Sequence, residues 1–123
     1  MSTYYKIVDN KLAWCYAEGH YTFDETYNNY KAALNDERSK EGINVIIDVR
    51  ASEETRSYGE MEKIAILFKS SPAFKGKCAM LVRHDDDRAR YGIARMMSSL
   101  AEIRDMNFEI FEDEQKAIKW LND

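Results

Sequence analysis

A chain of 123 residues, 45% hydrophobic and 33% charged, is one domain's worth of sequence and is neither extended disorder nor collagen-like. Its net charge of −4 and pI near 5.3 leave no basic footprint for nucleic acid and disfavour docking on an anionic membrane surface. Residues Met1–Asn10 carry no apolar signal core, and no segment approaches a membrane-spanning run, so the expected compartment is the cytoplasm.

The chain opens with two strand-like stretches, Thr3–Val8 and Lys11–Ala17, rich in aromatic and β-branched residues. Asp9 and Asn10 separate them. Both residue types tolerate positive φ, so a tight hairpin is expected there. Thr22 and Glu25 have the spacing of a capping box, and Phe23, Tyr27, Tyr30 and Leu34 follow at helical intervals. This predicts a helix from Phe23 to about Asp36.

Ile43–Val49 is a short, nearly continuous apolar run, the pattern of a strand covered on both faces. A second helix is expected over Tyr58–Lys69, with Met61, Ile64, Ala65 and Phe68 buried and Pro72 marking its end. Lys77–Val82 reads as another buried strand. The longest helix is expected from Asp85 to about Arg104, with Tyr91, Ile93, Ala94, Met97, Leu100 and Ala101 on its apolar face. Met106–Phe111 and Glu112–Leu121 close the chain as a strand and a helix, with Ala117, Trp120 and Leu121 facing inward.

The order ββαβαβαβα implies an α/β domain of five strands and four helices spanning 1–123. Parallel pairing through right-handed crossovers is expected, with only the first strand antiparallel. Cys15 and Cys78 lie in apolar strands, where thiols are buried and reduced. They have no metal spacing.

Three stretches carry a family resemblance: IIDVRASEE around Asp48, RYGIARMMSSLAE from Arg90 to Glu102, and FEDEQKAIKWL from Phe111 to Leu121. With them the chain resembles the SpoIIAA-like family of small bacterial domains, related to STAS domains and to SEC14-type (CRAL-TRIO) modules. The resemblance covers nearly the whole chain. It implies a small mixed α/β fold and a partner-binding regulatory role. Relatedness to lipid-binding modules implies a lipophilic ligand as the alternative. STAS switches of the anti-sigma antagonist type are phosphorylated on a serine in a D-S-S-G turn. The matching turn here is Arg56-Ser57-Tyr58-Gly59, so Tyr58 stands in the position of the phosphorylated serine.

In open parallel sheets, ligands gather beyond the carboxyl ends of the strands. Here those ends carry Gly19-His20, Asp48-Val49-Arg50, Arg83-His84-Asp85 and Glu112. The expected binding surface is the rim from Asp48 to Gly59 and from Arg83 to Tyr91. Its candidate residues are Asp48, Arg50, Ser57, Tyr58, His84, Asp85, Arg90 and Tyr91. The competing reading makes these side chains caps and loop ties. His84-Asp85-Asp86-Asp87 fits no metal loop and reads as a helix start, so no metal or cofactor is expected.

The chain has no GxSxG elbow, P-loop or dinucleotide fingerprint, and an acid–base pair of His20 and His84 with Asp48 is not required by any spacing. The expectation is therefore a non-catalytic module. The N-terminal aromatics, among them Tyr4, Trp14 and Tyr16, read as core or as a pocket lining. Ile66, Leu67, Met96 and Ile103 broaden the apolar helix faces, by deep burial or at a homodimer interface.

Overall fold

The computed structural model describes residues 2–85, 98–99 and 106–123. Its strands are β1 (Thr3–Val8), β2 (Leu12–Gly19), β3 (Ile43–Ser52), β4 (Phe74–Leu81) and β5 (Asn107–Phe111). Its helices are α1 (Phe23–Leu34), α2 (Tyr58–Ser70) and α3 (Glu114–Asn122), with a single 3₁₀ turn at Glu37–Ser39.

The five strands form one sheet in the order β1-β2-β3-β4-β5. Only β1 runs antiparallel to its neighbour, and the other pairings are parallel. Asp9 and Asn10 have φ of 53° and 55°, and the Lys11 N–H donates to the Val8 carbonyl at 3.0 Å. Positive φ at both central residues matches the twist of the flanking strands.

β2, β3 and β4 advance in one direction, so right-handed crossovers place the two helices that join them on one face. Accordingly α1 and α2 share that face. Tyr30, Ala33 and Leu34 join Met61, Ile64, Ala65 and Phe68 over Cys15, Val45, Ile47 and Cys78. The opposite face holds Trp14, Ile46, Ala79 and Leu81 beneath Ala117 and Leu121 of α3. Ile46 and its neighbours Val45 and Ile47 thus bury on opposite faces, which is why β3 reads as unbroken apolar sequence.

Several boundaries differ from expectation. β3 does not stop at Val49 but runs to Ser52, because β2 also continues and pairs Glu18 with Ala51 and Gly19 with Ser52. The register shifts between Tyr16 and Glu18, so a β-bulge accommodates the extra length. β4 begins at Phe74, where Ile43 is its partner. α1 stops at Leu34, and the Asn35 N–H closes on Lys31 and Ala33. The last helix starts at Glu114 rather than Glu112, since the Asp113 side chain accepts the Gln115 and Lys116 amides as N-cap. Trp120 is half-buried against Phe111 instead of fully inward.

Three α-helices are present among the described residues. The expected helix from Asp85 to Arg104, with Met96 and Ile103, lies outside the described residues save Asp85 and the exposed, helical Ser98 and Ser99.

Candidate functional site

The carboxyl ends of β2, β3 and β4 bring several loops together, and charged pairs tie those loops. Just past β2, His20 Nδ1 meets Glu54 Oε2 at 2.6 Å. The Glu53 N–H donates to the Gly19 carbonyl at 2.9 Å. Arg83 after β4 donates to Glu53 Oε1 at 3.3 Å. His84 Nδ1 meets Glu112 Oε2, after β5, at 2.7 Å. Both histidines are largely exposed, at 80% and 90% of the side chain. Each is held by its own glutamate, and neither hydrogen-bonds Asp48.

Asp48 and Arg50 are brought together, but Asp48 is 5% exposed and lies within β3, not at its end. Alternation along the strand puts both side chains on the α3 side of the sheet. Asp48 Oδ2 accepts Trp14 Nε1–H at 3.1 Å and Arg50 Nη2–H at 2.7 Å, while Oδ1 accepts Arg50 Nε–H at 3.0 Å. Arg50 also reaches Glu114 Oε1 at 3.2 Å, so it joins the sheet to the first turn of α3. Bidentate pairing with Asp48, with Glu114 adding to it, raises the Arg50 pKa above its already high ordinary value. The Arg50 side chain remains 38% exposed. Asp48 thus acts as the buried support that orients an accessible arginine.

Ser57 is the N-cap of α2. Its hydroxyl accepts the Glu60 amide at 3.2 Å and Glu60 Oε1 accepts the Ser57 amide at 3.0 Å, a complete capping box. Tyr58 follows at 48% exposure. Asp85 lies 4.0 Å from Arg83 Nε. Arg90 and Tyr91 lie outside the described residues.

Sequence reasoning missed Glu53, Glu54 and Glu114 as rim partners. The Glu53-Glu54 pair directly after a strand, with His20 and Arg83 on neighbouring loops, was the available signal. It also missed Arg56, whose guanidinium stacks 4.9 Å from the Tyr21 ring with Nε and Nη2 enclosed and without a hydrogen-bond partner. Tyr21 in turn shares a 2.6 Å hydrogen bond with Ser52, the last residue of β3.

A second feature adjoins the rim. On the α3 side of the sheet, Tyr4, Tyr16 and Trp14 stack as a ladder, with ring centroids 4.7 and 5.8 Å apart and planes within 14°. Lys6 Nζ lies 4.6 Å from the Trp14 ring, a cation–π contact. Tyr4 is 40% exposed and donates to Glu18 at 2.9 Å, which holds its phenol above the ordinary pKa. A shallow depression of about 150 Å³ between Tyr16, Glu18, Asp48 and Arg50 links ladder and rim.

The two thiols offer no nucleophile. Burial alone pushes Cys15 up to about 12, and Cys78 moves the same way. Among the described residues no group of three His, Cys, Asp or Glu is placed to hold a metal ion. No helix among them is long and apolar enough to cross a membrane. No family model matches the chain, and no curated protein and no solved structure matches it.

Proposed function

We propose that this chain is a non-catalytic interaction module of the SpoIIAA-like type, acting in the cytoplasm on a protein partner. The observation that carries the reading is the partly exposed Arg50 side chain, fixed by buried Asp48 and by Glu114 where the rim meets the exposed Tyr4 end of the aromatic ladder. A charged group held in one geometry before contact loses little freedom on binding. The paired loops beyond β2, β3 and β4 extend that ordered surface, and arginine and tyrosine are the side chains interfaces favour. The non-catalytic reading draws support from the two protonated thiols and from histidines committed to separate glutamates.

The test is affinity purification of the tagged protein from its native host, wild type against a His20→Ala/Arg50→Gln/His84→Ala variant of unchanged thermal stability. A protein recovered in stoichiometric amount with wild type and lost with the variant is expected. Equal recovery with both removes the rim as the binding surface. Native mass spectrometry of the same wild-type sample separates the other readings. A copurified adduct of lipid size without a protein partner favours a carrier or sensor of a lipophilic ligand. A doubled mass identifies a homodimer, for which the exposed side of α2, where Ile66 is 41% exposed, is the candidate surface.

A further inference from the structure

We propose that a groove at the amino ends of the parallel strands, away from the rim, binds a small amphipathic carboxylate. The groove lies between the β1–β2 hairpin, the start of β3 and the C-terminal turn of α3, and its volume is about 370 Å³. That is at the lower end of the range for small-molecule sites, and the mixed lining suits a ligand with one apolar and one charged end. Leu12, Trp14, Ile118 and Leu121 form the apolar wall. Lys11 and Lys75 stand at its polar edge, with Asp9 the one acid in the lining.

The charge pattern points to an anionic occupant. At the rim, His20, Arg50, Arg83 and His84 each face a carboxylate. The groove lining carries two lysines against one acid, and among the described residues Lys11 and Lys75, like Lys6, Lys31, Lys40 and Lys63, make no ion pair, so both ammonium groups are open to a ligand. A lysine beside a helix C-terminus commonly serves the exposed carbonyls there. That task is taken by Lys77, whose Nζ donates to the Trp120 carbonyl at 3.0 Å.

Asn44 is also committed. Its amide donates to the Leu121 carbonyl at 3.4 Å and its oxygen accepts the Lys77 amide at 3.3 Å. The aliphatic stem of Lys75 lies against Gly42, so closely that a β-carbon there would lie 2.3 Å from Lys75 Cε. A carboxylate at this polar edge would meet lysine ammonium groups, while its tail covers Leu12 and Ile118.

The experiment is calorimetric titration of the full chain with sodium decanoate below its micellar concentration. Saturable binding at one site is expected. Lys11→Gln/Lys75→Gln, both exposed, leaves the fold intact by circular dichroism. It weakens binding about tenfold or more, the loss that follows removal of charge-assisted hydrogen bonds. Decanol, with the same tail and no charge, binds correspondingly weaker. The rim variant His20→Ala/His84→Ala, which leaves the Asp48–Arg50–Glu114 tie to α3 in place, binds decanoate as wild type does, so this site and the rim succeed or fail separately. Absence of saturable binding, equal affinity in the lysine variant, or decanol as tight as decanoate overturns the proposal. So does loss of binding in the rim variant alone.

Discussion

Cys15 shows how much a single position owes to its surroundings. Its thiol is 2% exposed in the interior of β2, and burial raises its pKa from 9.0 to about 12. A raised folded-state pKa means the native protein keeps a proton that the unfolded chain gives up. The corresponding stability is complete below pH 9 and drains away as pH climbs from 9 toward 12. Urea midpoints measured across that window should fall with pH, and should fall less steeply in Cys15→Ala. Identical slopes for the two proteins would show that the thiol is solvated. The burial itself was readable from the apolar pattern of the strand. Asp48 was not readable in this way. Its sequence marks a polar interruption at a strand's end, whereas its role as a buried acceptor depends on Trp14 and Arg50 arriving on the same face.

At the scale of the element, local rules performed well where partners lie within a few residues. The T-x-x-E spacing of Thr22 and Glu25 identified the start of α1, and the structure closes that box with Glu25 N–H to Thr22 Oγ1 at 3.1 Å. The same chemistry at Ser57 and Glu60 begins α2. Replacing Ser57 with alanine should cost about 1 kcal/mol of unfolding free energy, because a first-turn amide loses its acceptor. Chemical denaturation reads this directly, and no change in midpoint would contradict the capping geometry. Strand ends were less legible. β3 continues to Ser52 only because β2 lengthens beside it through a bulge, and a ladder extension leaves no hydrophobic mark in exposed residues such as Ala51.

For the whole molecule, Phe68 joins the layers. It is fully buried, packs edge-on against Tyr30 of α1 at 5.4 Å and touches Phe74 of β4 at 5.4 Å. Phe68→Ala should cost roughly 3–5 kcal/mol through lost burial and the cavity left behind. That is a large share of the roughly 5–15 kcal/mol that holds a typical domain together. Ile66→Ala, two residues away on the 41% exposed side of the same helix, should cost under about 1 kcal/mol. A thermal melt of both variants checks the contrast. Similar losses would mean that the helix faces are assigned incorrectly.

The sequence by itself determined the α/β class, the antiparallel hairpin at Asp9-Asn10, the buried face of α2 and the two inert cysteines. Each follows from spacing, turn chemistry or burial, which act over a few residues. On α1, by contrast, Thr26 and Ala33 are buried with Tyr30 and Leu34 while Phe23 and Tyr27 are only half-buried. The tertiary structure alone decided the strand order, the length of β3, the half-buried place of Trp120 and the partners at the rim. Arg50 meets Glu114 across 64 positions and His84 meets Glu112 across 28. Such contacts exist only after the crossovers have laid the strands side by side, and no local periodicity encodes them. The groove beneath α3 is of the same kind. Its lysines and its apolar wall come from three separate stretches of the chain, brought together only when the closing helix packs on the sheet.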